Sequence, residues 1–243
     1  MARYILITGA STGIGAETAR LLAEGNVIFV HYNASRDGAE QTAAEVQSRG
    51  GTAHLVQADL ATEPGCDALY SLVSIQTNRL DVLVNNAGGL VERRPVAELE
   101  WSLMERIFAL NVFSAMMMTR LCLPLLQRGK DPCVVNLSSI AARHGAPSAT
   151  IYGAAKGAVD TLTRGMAAEL APGIRVNAVA PGVIETPFHE KVSTPERMRA
   201  FEAQTPLQRN GQAIHIARAI QFLIDDDFVT GETVDVNGGL YMR

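Results

Sequence analysis

A chain of 243 residues, 47% hydrophobic and 19% charged, is long enough for one large packed domain and too apolar for a disordered one. A formal net charge of -4 and a pI near 5.8 give no basic footprint for nucleic acid. Cys66, Cys122 and Cys133 are widely spaced, with no C-x-x-C, and fit buried free thiols in a reducing compartment. The apolar run 4–7 is too short for a signal-peptide core and no stretch is expected to span a membrane, so a soluble, cytoplasmic protein is expected.

Strand-like apolar runs at 4–8, 27–31, 53–57, 81–85, 133–137 and 175–179 alternate with helical patterns at 16–24, 39–47, 67–75, 101–126 and 151–170. Residues 181–206 hold four prolines and a helix-start signal, Ser193-Thr194-Pro195-Glu196, and segment 183–207 reads as a substrate lid. A helix at 214–224, an acidic turn at 225–227 and a closing strand at 233–236 complete the chain. The alternation predicts an α/β fold: a doubly wound parallel sheet of about seven strands, helices on both faces, and a single domain over 1–243.

Two motifs carry chemistry. The first strand runs into Gly9-Ala10-Ser11-Thr12-Gly13-Ile14-Gly15, spaced G-x-x-x-G-x-G, and then a helix. Glycines there permit a tight turn and close approach of backbone to a pyrophosphate, which the N–H groups and dipole of the helix N-terminus attract. No Lys follows the last glycine, so this is not an ATPase phosphate loop. Later, Tyr152 and Lys156 stand four residues apart in a helical pattern, on one face. Chance would place a Tyr four residues before a Lys about 0.06 times in this composition. A cation beside a phenol favours the phenolate, making Tyr152 a candidate acid and base near neutral pH.

With these motifs in place, the chain resembles the short-chain dehydrogenase/reductase family over nearly its whole length. Thr8 to Gly15 is similar to the family's cofactor fingerprint, Asn85-Asn86-Ala87-Gly88 to the motif ending its fourth strand, and Asn111 to its helical asparagine. Asn136-Leu137-Ser138-Ser139 precedes Tyr152 by the family interval, which selects Ser139 over Ser138. Residues 176–182 with Thr186, and 235–239, resemble the nicotinamide-side segment and the closing strand. The resemblance implies a Rossmann-type oxidoreductase acting on a carbonyl or secondary alcohol. Tyr152 would be the acid/base, Ser139 would hydrogen-bond the substrate oxygen, Lys156 would hold the ribose and lower the tyrosine's pKa, and Asn111 would support a proton-supplying water chain. It further implies a cofactor site of Gly9, Ser11, Gly13, Ile14, Gly15, Asn33, Arg36, Asp59, Leu60, Asn86, Ala87, Gly88, Tyr152, Lys156, Pro181, Gly182, Ile184 and Thr186. Without the resemblance, Asn111 reads as a helix-interior amide bonded to backbone and Ser139 as a strand-end cap.

No carboxylate ends the second strand to favour NAD, and Asn33, Ser35 and Arg36 could accept a 2′-phosphate, so NADP is expected, with NAD the alternative. Substrate-side candidates are Arg143, His144, Phe188 and His189, and no ligand cluster among the histidines suggests a catalytic metal. Arg93-Arg94 reads as a solvated turn rather than a substrate contact. Within the family the likeness runs to 3-oxoacyl reductases and sugar or polyol dehydrogenases. Arg128 and Lys130 could hold an acidic carrier protein, although Pro172 stands where such relatives carry a basic residue. A homotetramer is implied, with Met116, Met117 and Met118 suited to an apolar contact. Two rival readings are a non-catalytic NAD(P)-sensing protein of the same fold and a cofactor-retaining epimerase or dehydratase; the latter is not expected, because such relatives carry a larger C-terminal substrate domain and only about thirty residues follow Gln212 here.

Overall fold

The structure, a computed structural model, describes residues 2–242, the side chains of residues 189–191 excepted. Its elements run in chain order as β1 (Tyr4–Ile7), α1 (Gly13–Leu21), β2 (Val27–Tyr32), α2 (Arg36–Ser48), β3 (Thr52–Gln57), α3 (Glu63–Ser74) and β4 (Val82–Asn85). Next come α4 (Trp101–Phe108), a π-helical turn (Ala109–Phe113), α5 (Ser114–Leu126), β5 (Cys133–Leu137), α6 (Ala141–His144), α7 (Thr150–Leu170) and β6 (Arg175–Pro181). The chain finishes with β7 (Ile184–Glu185), α8 (Pro187–Val192), α9 (Pro195–Gln204), β8 (Gly211–Gln212), α10 (Ala213–Asp225) and β9 (Thr233–Val236).

Seven strands form one parallel sheet in the order β3-β2-β1-β4-β5-β6-β9, as the alternation predicts. Successive side chains of a strand point to opposite faces, so each strand feeds two cores. Ile5, Ile7, Ile28, Val30, Val82 and Val84 pack on one side with Ala19, Ile216 and Ile220 of α1 and α10. Leu6, Phe29, Leu83 and Val134 pack on the other with Leu69, Met118, Cys122 and Met166 of α3, α5 and α7. Strands buried on both faces must be apolar throughout, which is why 4–7 and 82–84 read as unbroken runs. The chain builds β1, β2 and β3 outward in one direction and then places β4 on the opposite side of β1. That reversal opens a crevice past the carboxyl ends of β1 and β4, the place where such sheets bind ligands.

Two departures from the sequence expectation have physical causes, and the lid segment takes regular structure. The helix expected over 101–126 contains a widened turn at Ala109–Phe113, where the Asn111 side-chain amide donates to Ile107 O at 2.8 Å and Ser114 Oγ to Leu110 O at 2.6 Å. That continuous stretch, Trp101–Leu126, is also long and apolar enough by length and composition to cross a membrane, contrary to expectation. Half of its most apolar window is buried inside the protein, where Met118, Cys122, Leu125 and Leu126 pack on the sheet. Finally, the lid segment holds β7, α8 and α9. Thr194 caps α9 by accepting from Arg197 N at 3.3 Å, as the Ser-Thr-Pro-Glu signal predicts.

Candidate active site

The crevice is a cleft of about 580 Å³ whose lining residues come from the loops that follow β1, β2, β3, β4, β5 and β6, and from α7. At its start, Gly9 and Gly13 take positive φ, +64° and +57°, conformations that side chains disfavour. A Cβ on Gly15 would stand 2.4 Å from Gly9 O and 2.6 Å from Asn86 Nδ2, so α1 can approach the loop this closely only with glycine there. No side chain caps α1 at Thr12, which leaves the N-terminal end of the helix open toward the cleft.

Two residues outside the expected cofactor set hold this loop. His31 Nδ1 accepts from Gly9 N at 2.9 Å, and its Nε2 pairs with Ala58 O at 3.1 Å. Burial pushes the imidazole pKa down to about 4, so the ring is neutral at pH 7, as accepting at Nδ1 requires. Thr8 Oγ1 accepts from the N–H groups of both Asn86 and Ala87, each at 2.9 Å, and donates to Val84 O at 3.2 Å. Asn86 Nδ2 in turn donates to Thr8 O and Gly9 O. A buried Thr at a strand end and a His inside an apolar strand are the signals that could have found them.

Behind Gly88 lies the second motif. Tyr152 and Lys156 share the cleft-facing side of α7. Lys156 Nζ stands 5.7 Å from the Tyr152 ring centroid and donates to Leu137 O at 2.8 Å. A Cβ at Gly88 would meet Asn111 Oδ1 at 2.8 Å and Lys156 Nζ at 3.0 Å, so both polar groups converge on that glycine. Ser139 is hydrogen-bonded to the Tyr152 hydroxyl, and its Oγ accepts from Ala141 N at 3.1 Å. Ser138 instead donates to Lys156 O at 3.2 Å and pins α7.

Here the electrostatics differ from expectation. Burial of the hydroxyl holds the Tyr152 pKa above its ordinary value, against the pull of Ser139 and the positive charge of Arg93. The lysine does not reverse this. Its own ammonium is desolvated, which brings its pKa down to about 8 despite nearby Asp160. The Asn111 amide is engaged by backbone: Oδ1 accepts from Gly89 N at 3.0 Å, and Nδ2 donates to Gly89 O and Ile107 O, both at 2.8 Å.

Of the residues expected at the cofactor, Gly9, Ser11, Gly13, Ile14, Asn33, Asp59, Leu60, Asn86, Ala87, Gly88, Tyr152, Lys156, Pro181, Gly182, Ile184 and Thr186 line the cleft. Gly15 lies just behind it as a packing residue. Arg36 does not line it: exposed on α2, its Nε pairs with Glu40 at 2.7 Å, one helical turn on. His144 and Phe188 do line the substrate end. Arg143 does not. It is drawn into an ion-pair network with buried Asp160 of α7 and half-buried Asp235 of β9, the latter at 3.2 Å, because two carboxylates outcompete the cleft for its charge. The His189 side chain lies outside the described residues. Arg93, expected as a solvated turn, lines the cleft instead, while Arg94 alone is the surface member, paired with Glu92 at 2.7 Å. Arg128 and Lys130 bond near Asn78 and Asp81, before β4, at the opposite end of the sheet from the cleft.

A doubly wound sheet with a glycine phosphate loop at its switch point and a Ser–Tyr–Lys cluster at the far end of the same crevice defines the class of dinucleotide-dependent oxidoreductases. Residues 9–241 match a family model described as enoyl-(acyl carrier protein) reductase. The chain is 38% identical over 242 residues to the uncharacterized oxidoreductase YgfF of Escherichia coli (96% of this chain, 98% of that one). It is 36% identical to cyclopentanol dehydrogenase of Comamonas sp. (98% and 96%) and 37% identical to the 3-oxoacyl-[acyl-carrier-protein] reductase FabG of Staphylococcus aureus (100% and 99%). Similar solved structures include an NADH-dependent reductase responsible for alginate metabolism, TM-score 0.91 at 29% identity (100% and 98%), and an angucycline C-6 ketoreductase with bound NADP, 0.90 at 28% (98% and 95%). The chain belongs to the short-chain dehydrogenase/reductase family.

Proposed function

We propose that the protein interconverts a carbonyl and a secondary alcohol with Tyr152 as the proton donor and acceptor and NADP(H) as the hydride carrier. The observation that carries this reading is the hydrogen-bonded Ser139–Tyr152 pair, with Lys156 behind it, opening into the cleft that the phosphate loop begins. A nicotinamide dinucleotide fits the residues present. Two positive-φ glycines and an uncapped helix end suit its pyrophosphate, and Asp59 with Leu60 borders the adenine end. When bound, it would supply the hydride that the carbonyl carbon gains, or accept the hydride that the alcohol carbon loses.

The protein's own part is position and proton transfer. Ser139 donates to the substrate oxygen and fixes it against Tyr152, whose hydroxyl passes its proton to that oxygen as charge develops there. A phenol held protonated at neutral pH is in the state that proton donation to a carbonyl oxygen requires. Lys156, beside the phenol, offsets the charge left on Tyr152, and Asn111 meets it at Gly88, where a proton could be relayed.

Support for NADP over NAD is the absence of a carboxylate at the end of β2, where Asn33, Ala34 and Ser35 line the cleft. The Arg36–Glu40 pair is exposed and exchangeable, so Arg36 can turn to a 2′-phosphate. The two similar solved structures divide, one described as NADH-dependent and the other holding NADP. The deciding measurement is kcat/KM for NADPH against NADH with a ketone panel. A preference for NADPH of at least about tenfold is expected, reduced in Arg36→Ala; a preference for NADH would reject this part of the reading. A homotetramer in the cytoplasm completes the proposal. Trp101, Phe113 and Met116 are exposed on the α4–α5 side and suit a subunit contact, whereas Met118 belongs to the core; light scattering would report the mass.

A further inference from the structure

The cleft beyond Tyr152 carries two guanidinium groups that proton and hydride transfer do not use. Arg93 follows β4, Arg197 lies in the first turn of α9, and both line the cleft with Tyr152, Phe188 and Phe201. Each has a near neighbour in sequence that is satisfied at the surface: Arg94 pairs with Glu92 at 2.7 Å and Arg199 with Glu196 at 3.2 Å. Among the described residues neither Arg93 nor Arg197 has a carboxylate partner. Arg93 Nε donates to Val192 O at 3.0 Å, which anchors the side chain across the lid, and the Arg197 guanidinium sits 5.6 Å from the Phe201 ring centroid. Both side chains are thus held in place rather than free in solvent.

Their charges also act on each other and on the reacting group. Burial, and then repulsion from Arg197, bring the Arg93 pKa below its ordinary value, while its charge favours the Tyr152 phenolate. Two half-buried cations facing one pocket are a standing cost, removed when an anion lies between them. A planar guanidinium fork matches carboxylate and phosphate oxygens.

We propose that Arg93 and Arg197 bind an anionic group, a carboxylate or a phosphate, on the substrate, so that the preferred substrate is an anionic ketone or aldehyde. Its carbonyl lies at Ser139 and Tyr152 and its charge at the two arginines. This deepens the oxidoreductase reading and rests on it. The two arginines come from segments about a hundred residues apart, the β4 loop and the lid, so the anion also draws the lid onto the cleft.

The test uses matched pairs at saturating cofactor: acetoacetate against its methyl ester, levulinate against its methyl ester, and dihydroxyacetone phosphate against dihydroxyacetone. A preference for the charged member of at least about tenfold in kcat/KM is expected, and the pair that shows it separates carboxylate from phosphate. Arg93→Gln and Arg197→Gln should each cut that preference about tenfold, while the Lys variants, which keep the charge but not the fork, retain part of it and guard against a folding defect. Calorimetric titration of malonate and of inorganic phosphate into the protein–cofactor complex gives the same comparison without turnover. The proposal is overturned if neutral members react as well as charged ones, or if anion binding is unchanged in both Gln variants. If no ketone of either kind reacts but malonate or phosphate binding falls in the Gln variants, the anion site stands and the oxidoreductase reading fails.

Discussion

The backbone N–H of Gly9 is held at 2.9 Å by Nδ1 of His31, and the adjoining Ala10 N–H by His31 O at 2.7 Å. A strand residue thereby fixes both the loop's position and the tautomer of its own ring, since Nε2 must carry the proton that reaches Ala58 O.

The first prediction follows from the sign of that ring's titration. Its pKa is about 4 when folded and 6.5 when not, so between these values the unfolded chain binds the additional proton. Stability is therefore lost as pH falls from 6.5 toward 4, by about 3 kcal/mol from this group. Urea unfolding at pH 7, 5.5 and 4.5 should show a steeper acid loss for the native protein than for His31→Gln. Parallel curves would remove the role given to the buried ring.

For Tyr152, replacement by Phe deletes the transferred proton and should reduce turnover at least about 100-fold. The raised phenol pKa sets the direction of the pH dependence. Carbonyl reduction needs the protonated form and should hold from pH 6 to 8, whereas alcohol oxidation needs the phenolate and should climb with pH. A change near pH 8 should report Lys156 losing its proton and be absent in Lys156→Met. Oxidation that runs faster at pH 6 than at pH 9 would contradict the assignment.

Two glycine substitutions should have opposite signs. In Gly15→Ala the new Cβ meets Gly9 O at 2.4 Å and Ala10 Cα at 3.0 Å, backbone atoms that cannot step aside, and a loss of about 1–3 kcal/mol is expected. Cofactor affinity should fall with it. Gly165, exposed on α7, has open space around its Cβ position, and Gly165→Ala should gain about 0.5–1 kcal/mol from reduced freedom of the unfolded chain. Thermal melts of the two variants, with and without cofactor, check both.

Removing Arg143 should be felt at α7. Arg143→Met leaves Asp160, buried beside Lys156 on that helix, without its cation, and about 3 kcal/mol is expected to go. Adding Asp160→Asn should recover part of it, because the buried carboxylate left without Arg143 is then neutral. A double variant as unstable as the sum of the singles would mean that Arg143 and Asp160 are not coupled.

How much of this was legible in the chain depends on the range of the signal. The Gly9–Gly15 spacing and the Tyr152–Lys156 pair are local patterns, and they locate both ends of the cleft; the seven strands follow from apolar runs that burial on two faces requires. Thr194 before Pro195 marks a helix start for the same reason. The failures are choices between partners distant in sequence. Arg143 and Arg93 are each a basic residue in a loop, and only tertiary placement sends one to Asp160 and Asp235 and the other to Tyr152. The wide turn at Ala109–Phe113 is equally hidden, because residues 101–126 keep an apolar helical pattern through it. The Tyr152 ionisation is hidden too, because i,i+4 spacing reports proximity to a cation and says nothing of how deeply the phenol is buried.

The reversal of strand order at β1 and β4 bears on when the site can exist. Thr8 and Asn86, whose hydrogen bond closes the crevice, are 78 positions apart, and Tyr152 arrives only with the helix that follows β5. No contiguous fragment ending before that helix holds both the phosphate loop and the proton donor. Contacts this remote form late because the intervening chain must first lose its freedom. On refolding, helical signal should therefore return before cofactor binding, and cofactor binding no later than turnover. Until then the apolar strand edges at the centre of the sheet are open to other chains, so the interval before the crevice closes is the one in which aggregation competes with folding.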